Sequence, residues 1–148
     1  MRNPLPRRER RAVQLAGVAL TAARANDWPR AVKMLQRIND ECGPDGAGRA
    51  LLSLCDTAIA EMGIPPGAPV HIQYKNIDTQ QVQGADEVEK REVVWAGRML
   101  AARAAQDQDT WDALIETLPD DPRVMGQHAL ALLQMVALNP RVYRGGAR

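Results

Sequence analysis

Residues 12–38 read AVQLAGVALTAARANDWPRAVKMLQRI, and they decide the fold class. Ala12, Leu15, Ala16, Ala19, Leu20 and Ala23 recur at helical spacing and predict a helix from about Arg8 to Ala25. Asn26-Asp27-Trp28-Pro29 then reads as a break and a restart. Asp27 can cap the next helix, and Pro29 fits a first turn whose amides have no partner in the helix. Trp28, Ala31, Val32, Leu35 and Ile38 mark the apolar stripe of that second helix. The stretch therefore predicts two antiparallel helices in close contact.

Working outward, Cys42-Gly43-Pro44-Asp45-Gly46 should stop the second helix, and a third should cover about Gly48 to Met62. Leu51, Leu54, Cys55, Ala58, Ile59 and Met62 fall in register there, and Gly63 followed by Pro65-Pro66 ends it. Helices resume at Ala85, where Asp86, Glu87 and Glu89 crowd a helix start that favours anions. Val88, Trp95, Met99 and Ala102 give this fourth helix an inner face. Asp109 or Thr110 is expected to cap a fifth helix carrying Trp111, Leu114, Ile115 and Leu118. Asp121-Pro122 opens a sixth, with Met125, Ala129, Leu132 and Val136 inward, and Asn139-Pro140 closes it.

The second group of helices echoes the first. Ala16-Gly17, Leu20, Ala22 and Ala25 correspond to Ala96-Gly97, Leu100, Ala102 and Ala105. After a three-residue difference in loop length, Trp28, Ala31, Val32 and Leu35 align with Trp111, Leu114, Ile115 and Leu118. The expected fold is all-α: two similar three-helix units, residues 8–63 and 85–140, in one domain spanning 1–148. A basic arm (1–7) and a basic tail (141–148) flank them, and residues 64–84 connect them. In the connector Val70, Ile72 and Tyr74 alternate with His71, Gln73 and Lys75. A short strand paired with Gln80 to Gln83 and an extended linker both fit this pattern. The polar side, His71, Gln73 and Lys75, is a candidate partner face.

Residues 16–38 resemble a tetratricopeptide-type helical hairpin. Ala19 and Ala22 precede the turn, and Ala31 and Leu35 stand where that family places a small and then a larger apolar residue. The second unit departs from the pattern by its longer loop and by Leu114, where a small residue is expected. The resemblance implies a protein-binding scaffold.

Composition agrees with a helical core. Apolar residues make up 45%, yet Phe is absent and aromatics reach only 3%, so Ala, Leu, Val, Ile and Met must fill the interior. Sixteen Arg against three Lys reflects the coding bias of a GC-rich, actinobacterial-type genome. The net charge of +1 hides basic ends and an acid-only stretch from Asp107 to Asp121. Broad nucleic-acid binding by the body is thereby disfavoured. The Arg-rich ends keep that option open, with Arg7, Arg8, Arg10 and Arg11 as candidate contacts.

No catalytic, cofactor-binding or metal-ligating set emerges. Gly43 to Arg49 lacks the Lys-Ser/Thr pair and the preceding strand of a phosphate-binding loop. The acidic run lacks the alternating ligands of a calcium loop. Cys55 and His128 could pair as nucleophile and base, but Cys55 lies on a core stripe and no oxyanion donors can be named. Arg7–Arg11, Ala12–Ala23 and Ala23-Arg24-Ala25 have the layout of a signal peptide. Gln14 and Thr21 interrupt its apolar run and a similar segment recurs internally, so a cytoplasmic location is expected. The expected function is a non-enzymatic protein–protein adaptor without a cofactor or a membrane, with a second copy of the chain as one candidate partner. An accessory nucleic-acid binder of a phage or mobile element is the alternative, and a small enzyme with an unrecognised site the third class.

Overall fold

The computed structural model describes residues 5–70, 74–75, 82–83 and 90–138. Among the described residues, five helices carry the fold: α1 (Arg7–Arg24), α2 (Trp28–Met62), α3 (Arg91–Ala104), α4 (Gln108–Glu116) and α5 (Pro122–Leu138). Two-residue strands β1 (Tyr74–Lys75) and β2 (Val82–Gln83) pair antiparallel, Tyr74 opposite Gln83. The architecture is all-α.

The expected second and third helices form one helical run, α2, interrupted at a single residue. Gly43 adopts φ 70° and ψ −173°, a region open essentially to glycine. Pro44 follows it and starts the next helical arm with the fixed φ that a first turn uses. The ion pairs show how far the chain turns. Arg11 of α1 meets Glu41 near the end of the first arm, so that arm runs antiparallel to α1. Glu9 meets Arg49, and Arg24 meets Glu61, so the second arm runs parallel to α1. The chain therefore reverses at Gly43, and α1 lies against both arms.

Close approach at this corner depends on small residues. Gly46 is buried, and a Cβ added there would collide with the Cβ of Cys42 while lying 3.5 Å from both Ala12 Cβ and the Arg8 carbonyl oxygen. Gly46→Ala should destabilise the fold by about 1–3 kcal/mol through overpacking, measured by urea unfolding. Gly48→Ala, where nothing lies within 4 Å, is the control and should be neutral or slightly stabilising. Equal effects at the two sites would contradict this packing.

The turns after α1 and α3 are built alike. Asn26 (φ 62°) and Gln106 (φ 57°) each take the left-handed conformation. Asp27 and Asp107 follow them, each donating its amide back, to Ala22 O at 2.8 Å and to Ala102 O at 2.9 Å. Each carboxylate then caps the next helix, accepting from Arg30 N at 3.2 Å and from Thr110 N at 3.1 Å. The cap of α4 is therefore Asp107, where Asp109 or Thr110 was expected. The expected three-residue loop difference is absent as well. In the observed register Trp28 matches Gln108, and Trp111 matches the fully buried Ala31.

Two boundaries also differ from expectation. The described part of α3 begins at Arg91, with Lys90 extended as its N-cap (φ −86°, ψ 110°), so the helix does not start at Ala85. Asp86, Glu87, Val88 and Glu89 lie outside the described residues, and Glu92 is the acid in the first turn. The α4 helix ends at Glu116, before Leu118 and Pro119.

One core joins all five helices. α1 contributes mainly alanine, with Leu15 and Leu20, so the arms of α2 can sit close. Met99, Leu132, Leu133 and Val136 are the largest fully buried aliphatic side chains, each worth roughly 1.5–3 kcal/mol of burial. Arg24 ties three elements together: its guanidinium grips the Glu61 carboxylate and also donates to the Val136 carbonyl at 3.3 Å. The C-terminal ends of α1, α2 and α5 therefore meet. Gly67 N donates to Ala104 O at 3.1 Å and docks the chain after α2 onto the end of α3.

Candidate functional site

The first arm of α2 carries two apolar stripes. Ala31, Met34, Ile38 and Cys42 are buried, with α1 packed along the helix. Val32 and Leu35 stand beside that stripe and are only half-buried, because the helix packs on one side and opens on the other. The reversal at Gly43 brings the second arm alongside, with Ala47 and Leu51 similarly half-covered. The opposite wall is the start of α5, through Met125, Ala129 and Leu130, with Leu118 and Pro122 at its head. These elements enclose a groove of about 620 Å³, within the usual range for ligand sites.

The floor of the groove is Ile38, Ala50, Leu54 and Trp95, all nearly inaccessible. Trp95 is held from two sides. Its Nε1–H donates to the Leu114 carbonyl at 3.1 Å, and its ring meets His128 edge-on with centroids 5.2 Å apart. His128 in turn donates from Nδ1 to the Val124 carbonyl at 2.8 Å. The polar lining residues, Gln36, Asn39, Asp40, Arg123 and Gln127, are all exposed on the rim. An apolar floor with a polar rim can take up hydrophobic groups from a partner, and it presents no convergent acid, base or nucleophile.

No protein-family model, curated protein or solved structure matches this chain. The site must therefore be read from its own geometry.

The candidate nucleic-acid contacts fall on α1 and do not form an arm. Arg7, Arg8, Arg10 and Arg11 occupy its first turns, where Arg10 N bonds to Pro6 O. Arg11 is engaged: its Nε–H reaches Glu41, which also accepts from Arg37 at 2.7 Å. Those two arginines, Arg37 first, hold the exposed Glu41 carboxyl below its ordinary range. Arg7, Arg8 and Arg10 are exposed and make no ion pair with a described residue. On the candidate partner face, His71 and Gln73 lie outside the described residues. Lys75 is placed by its backbone alone, opposite Val82.

The other polar features have local partners. Arg49, in the first turns of the second arm, donates to Glu9 at 3.1 Å. In the acidic stretch Asp107 accepts from Thr110 Oγ1 and N, which lowers its pKa, while Asp112 accepts from Gln108 and Asp121 from Arg123 N. Among the described residues no group of three His, Cys, Asp or Glu is placed to hold a metal. Cys55 is buried, and desolvation pushes its thiol up to about 12, with Asp56 adding and Arg103 opposing. Such a thiol stays protonated near neutrality. No helix among the described residues is long and apolar enough to cross a membrane.

The stripes were readable in the sequence, but the groove was not. Val32 and Leu35 were assigned to one core stripe with Trp28 and Ile38. The signal that they form a second face is the width of the apolar arc on this arm, which exceeds what one packing partner can cover.

Proposed function

We propose that this chain is a non-enzymatic helical scaffold that binds another protein through the groove between the two arms of α2 and α5. The observation that carries the reading is a groove of about 620 Å³ whose floor is apolar apart from the committed Trp95 Nε1 and whose polar and charged side chains stand on its rim. The same reading takes the molecule as two related helical units joined by an extended connector. The matched turns at Asn26-Asp27 and Gln106-Asp107 support it, as does the resemblance of residues 16–38 to a tetratricopeptide-type hairpin.

A photo-crosslinking residue placed in living host cells tests the reading. At Gln127, on the groove rim, it should give an adduct with a discrete protein; at Gln134, exposed further along α5, it should not. Adducts of equal yield at both positions, or none at Gln127, would remove the groove as the interaction site.

A second reading, nucleic-acid contact through α1, rests on the exposure of Arg7, Arg8 and Arg10. Replacing all three by Ala should then abolish the salt-dependent retardation of random-sequence DNA. Unchanged retardation would leave the folded basic surface without a role in it.

A further inference from the structure

We infer that the occupant of this groove is a single amphipathic helix of a partner protein, flanked by a base on the side of Asp40 and an acid on the side of Arg123. The inference rests on the reading of the groove as a protein-binding site and specifies what it binds.

Backbone chemistry favours a helix over an extended peptide. The groove is walled by helices whose amides and carbonyls bond internally, so it offers no strand edge to pair with. Its floor has no free polar atom, since the one donor there, Trp95 Nε1, is committed to Leu114. An extended chain laid along it would bury unpaired peptide groups at a cost of several kcal/mol. A helix brings its own hydrogen bonds and buries only side chains. Length agrees: from Val32 to Asp40 the first arm covers about 12 Å, or about two helical turns. Two turns present apolar residues at i, i+3, i+4 and i+7, the pattern by which helices fill grooves.

Among the described residues, a second copy of the chain supplies no such ridge. Among the described residues Leu138 is the one large hydrophobic that is exposed, and it stands alone at the end of α5. Groove against groove would bring two concavities together.

The rim charges set the flanks. Asp40 and Arg123 stand on opposite walls, one from α2 and one from α5, both exposed. Neither makes an ion pair with a described residue. A bound helix with Lys on one flank and Glu on the other satisfies both and is held in one direction along the groove. Like flanks would leave one rim charge facing its own sign.

Three synthetic, helix-stapled 15-residue peptides provide the probe. All carry Leu at positions 4, 7, 8 and 11, and their flanks are Lys/Glu, Lys/Lys or Glu/Glu. Calorimetric titration at low salt should show the Lys/Glu peptide binding tightest, by roughly three- to tenfold, with the advantage lost in high salt. Asp40→Lys should shift the preference to the Glu/Glu peptide, and Arg123→Glu to the Lys/Lys peptide. Gly126→Leu should abolish binding of all three. Gly126 lies in the second turn of α5 with nothing within 4 Å of an added Cβ, so the variant should fold, and its circular dichroism spectrum and melting curve check that it does. Binding that Gly126→Leu abolishes but that ignores the flank charges overturns the charge-matched helix and leaves the groove reading intact. Binding that survives Gly126→Leu overturns both. Absence of peptide binding overturns the helix, and decanoate binding lost in Gly126→Leu would then assign the groove to a small apolar ligand. A concentration-dependent dimer in sedimentation, broken by Gly126→Leu, would assign it to a second copy and likewise overturn the inference.

Discussion

Trp111→Ala should lower the free energy of unfolding by about 3–5 kcal/mol, whereas Trp28→Ala should cost only about 1 kcal/mol. Sequence alignment of the two units paired these tryptophans, which predicts similar losses. The structure separates them. Trp111 is 6% exposed and occupies the register position of the fully buried Ala31, four residues after its capping aspartate. Removing its indole leaves a cavity between α4 and α3 that the short α4, packed chiefly on α3, has little else to fill. Trp28 is the first residue of α2, half-buried, with its Nε1–H donating to Asn26 Oδ1 at 3.1 Å. Its truncation removes a partly solvated ring from the turn. Equal losses by urea unfolding at pH 7 would contradict the observed register.

Alkaline conditions should destabilise the native protein through Cys55 by up to about 4 kcal/mol. Its thiol is raised from 9.0 to about 12 in the folded chain, chiefly because the buried site cannot solvate a thiolate. Below about pH 9 the thiol is neutral in both states and its contribution is fully present. Between about pH 9 and 12 the unfolded chain releases the proton and the folded chain keeps it, so stability falls by about 1.4 kcal/mol per pH unit. Above the folded value both states are ionised and the loss is complete. Other groups titrate in this range, so the measurement is a difference. Urea unfolding of the parent and of Cys55→Ala at pH 7 and pH 10 should show the parent losing about 1.4 kcal/mol more. Parallel losses in the two proteins would place Cys55 in a solvated or charge-stabilised site. The same burial predicts that a disulfide-exchange reagent modifies Cys55 at native pH only on unfolding.

Much of the helical architecture was legible because each signal was local. Asp27 before Trp28-Pro29, Gly63 before Pro65-Pro66, and Pro122 after Asp121 fall at helix ends, where unpaired amides and carbonyls need them. The second turn was hidden because its left-handed residue is Gln106. Asn is enriched in that conformation and Gln is not, so nothing in the sequence announced the turn. The two tryptophans then drew the alignment three residues out of register. The helix α3 begins at Arg91 with Glu92 as its first-turn acid, while Asp86, Glu87 and Glu89 lie outside the described residues. The groove was illegible for a different reason. Its walls come from residues 32–54 and 118–130, and only the reversal at Gly43 turns two stripes of α2 into facing surfaces.

That reversal is the claim on which the groove and its proposed occupant depend. Spin labels at Arg30 and Ala60, both exposed, read it directly by pulsed dipolar spectroscopy. A straight 35-residue α2 would hold these positions about 45 Å apart. With the arms folded back, Arg24, a few residues before Trp28, grips Glu61, so the two labels should give a single narrow distribution at less than half that separation. A distribution centred near 45 Å would show α2 to be one continuous rod, and the groove would not exist.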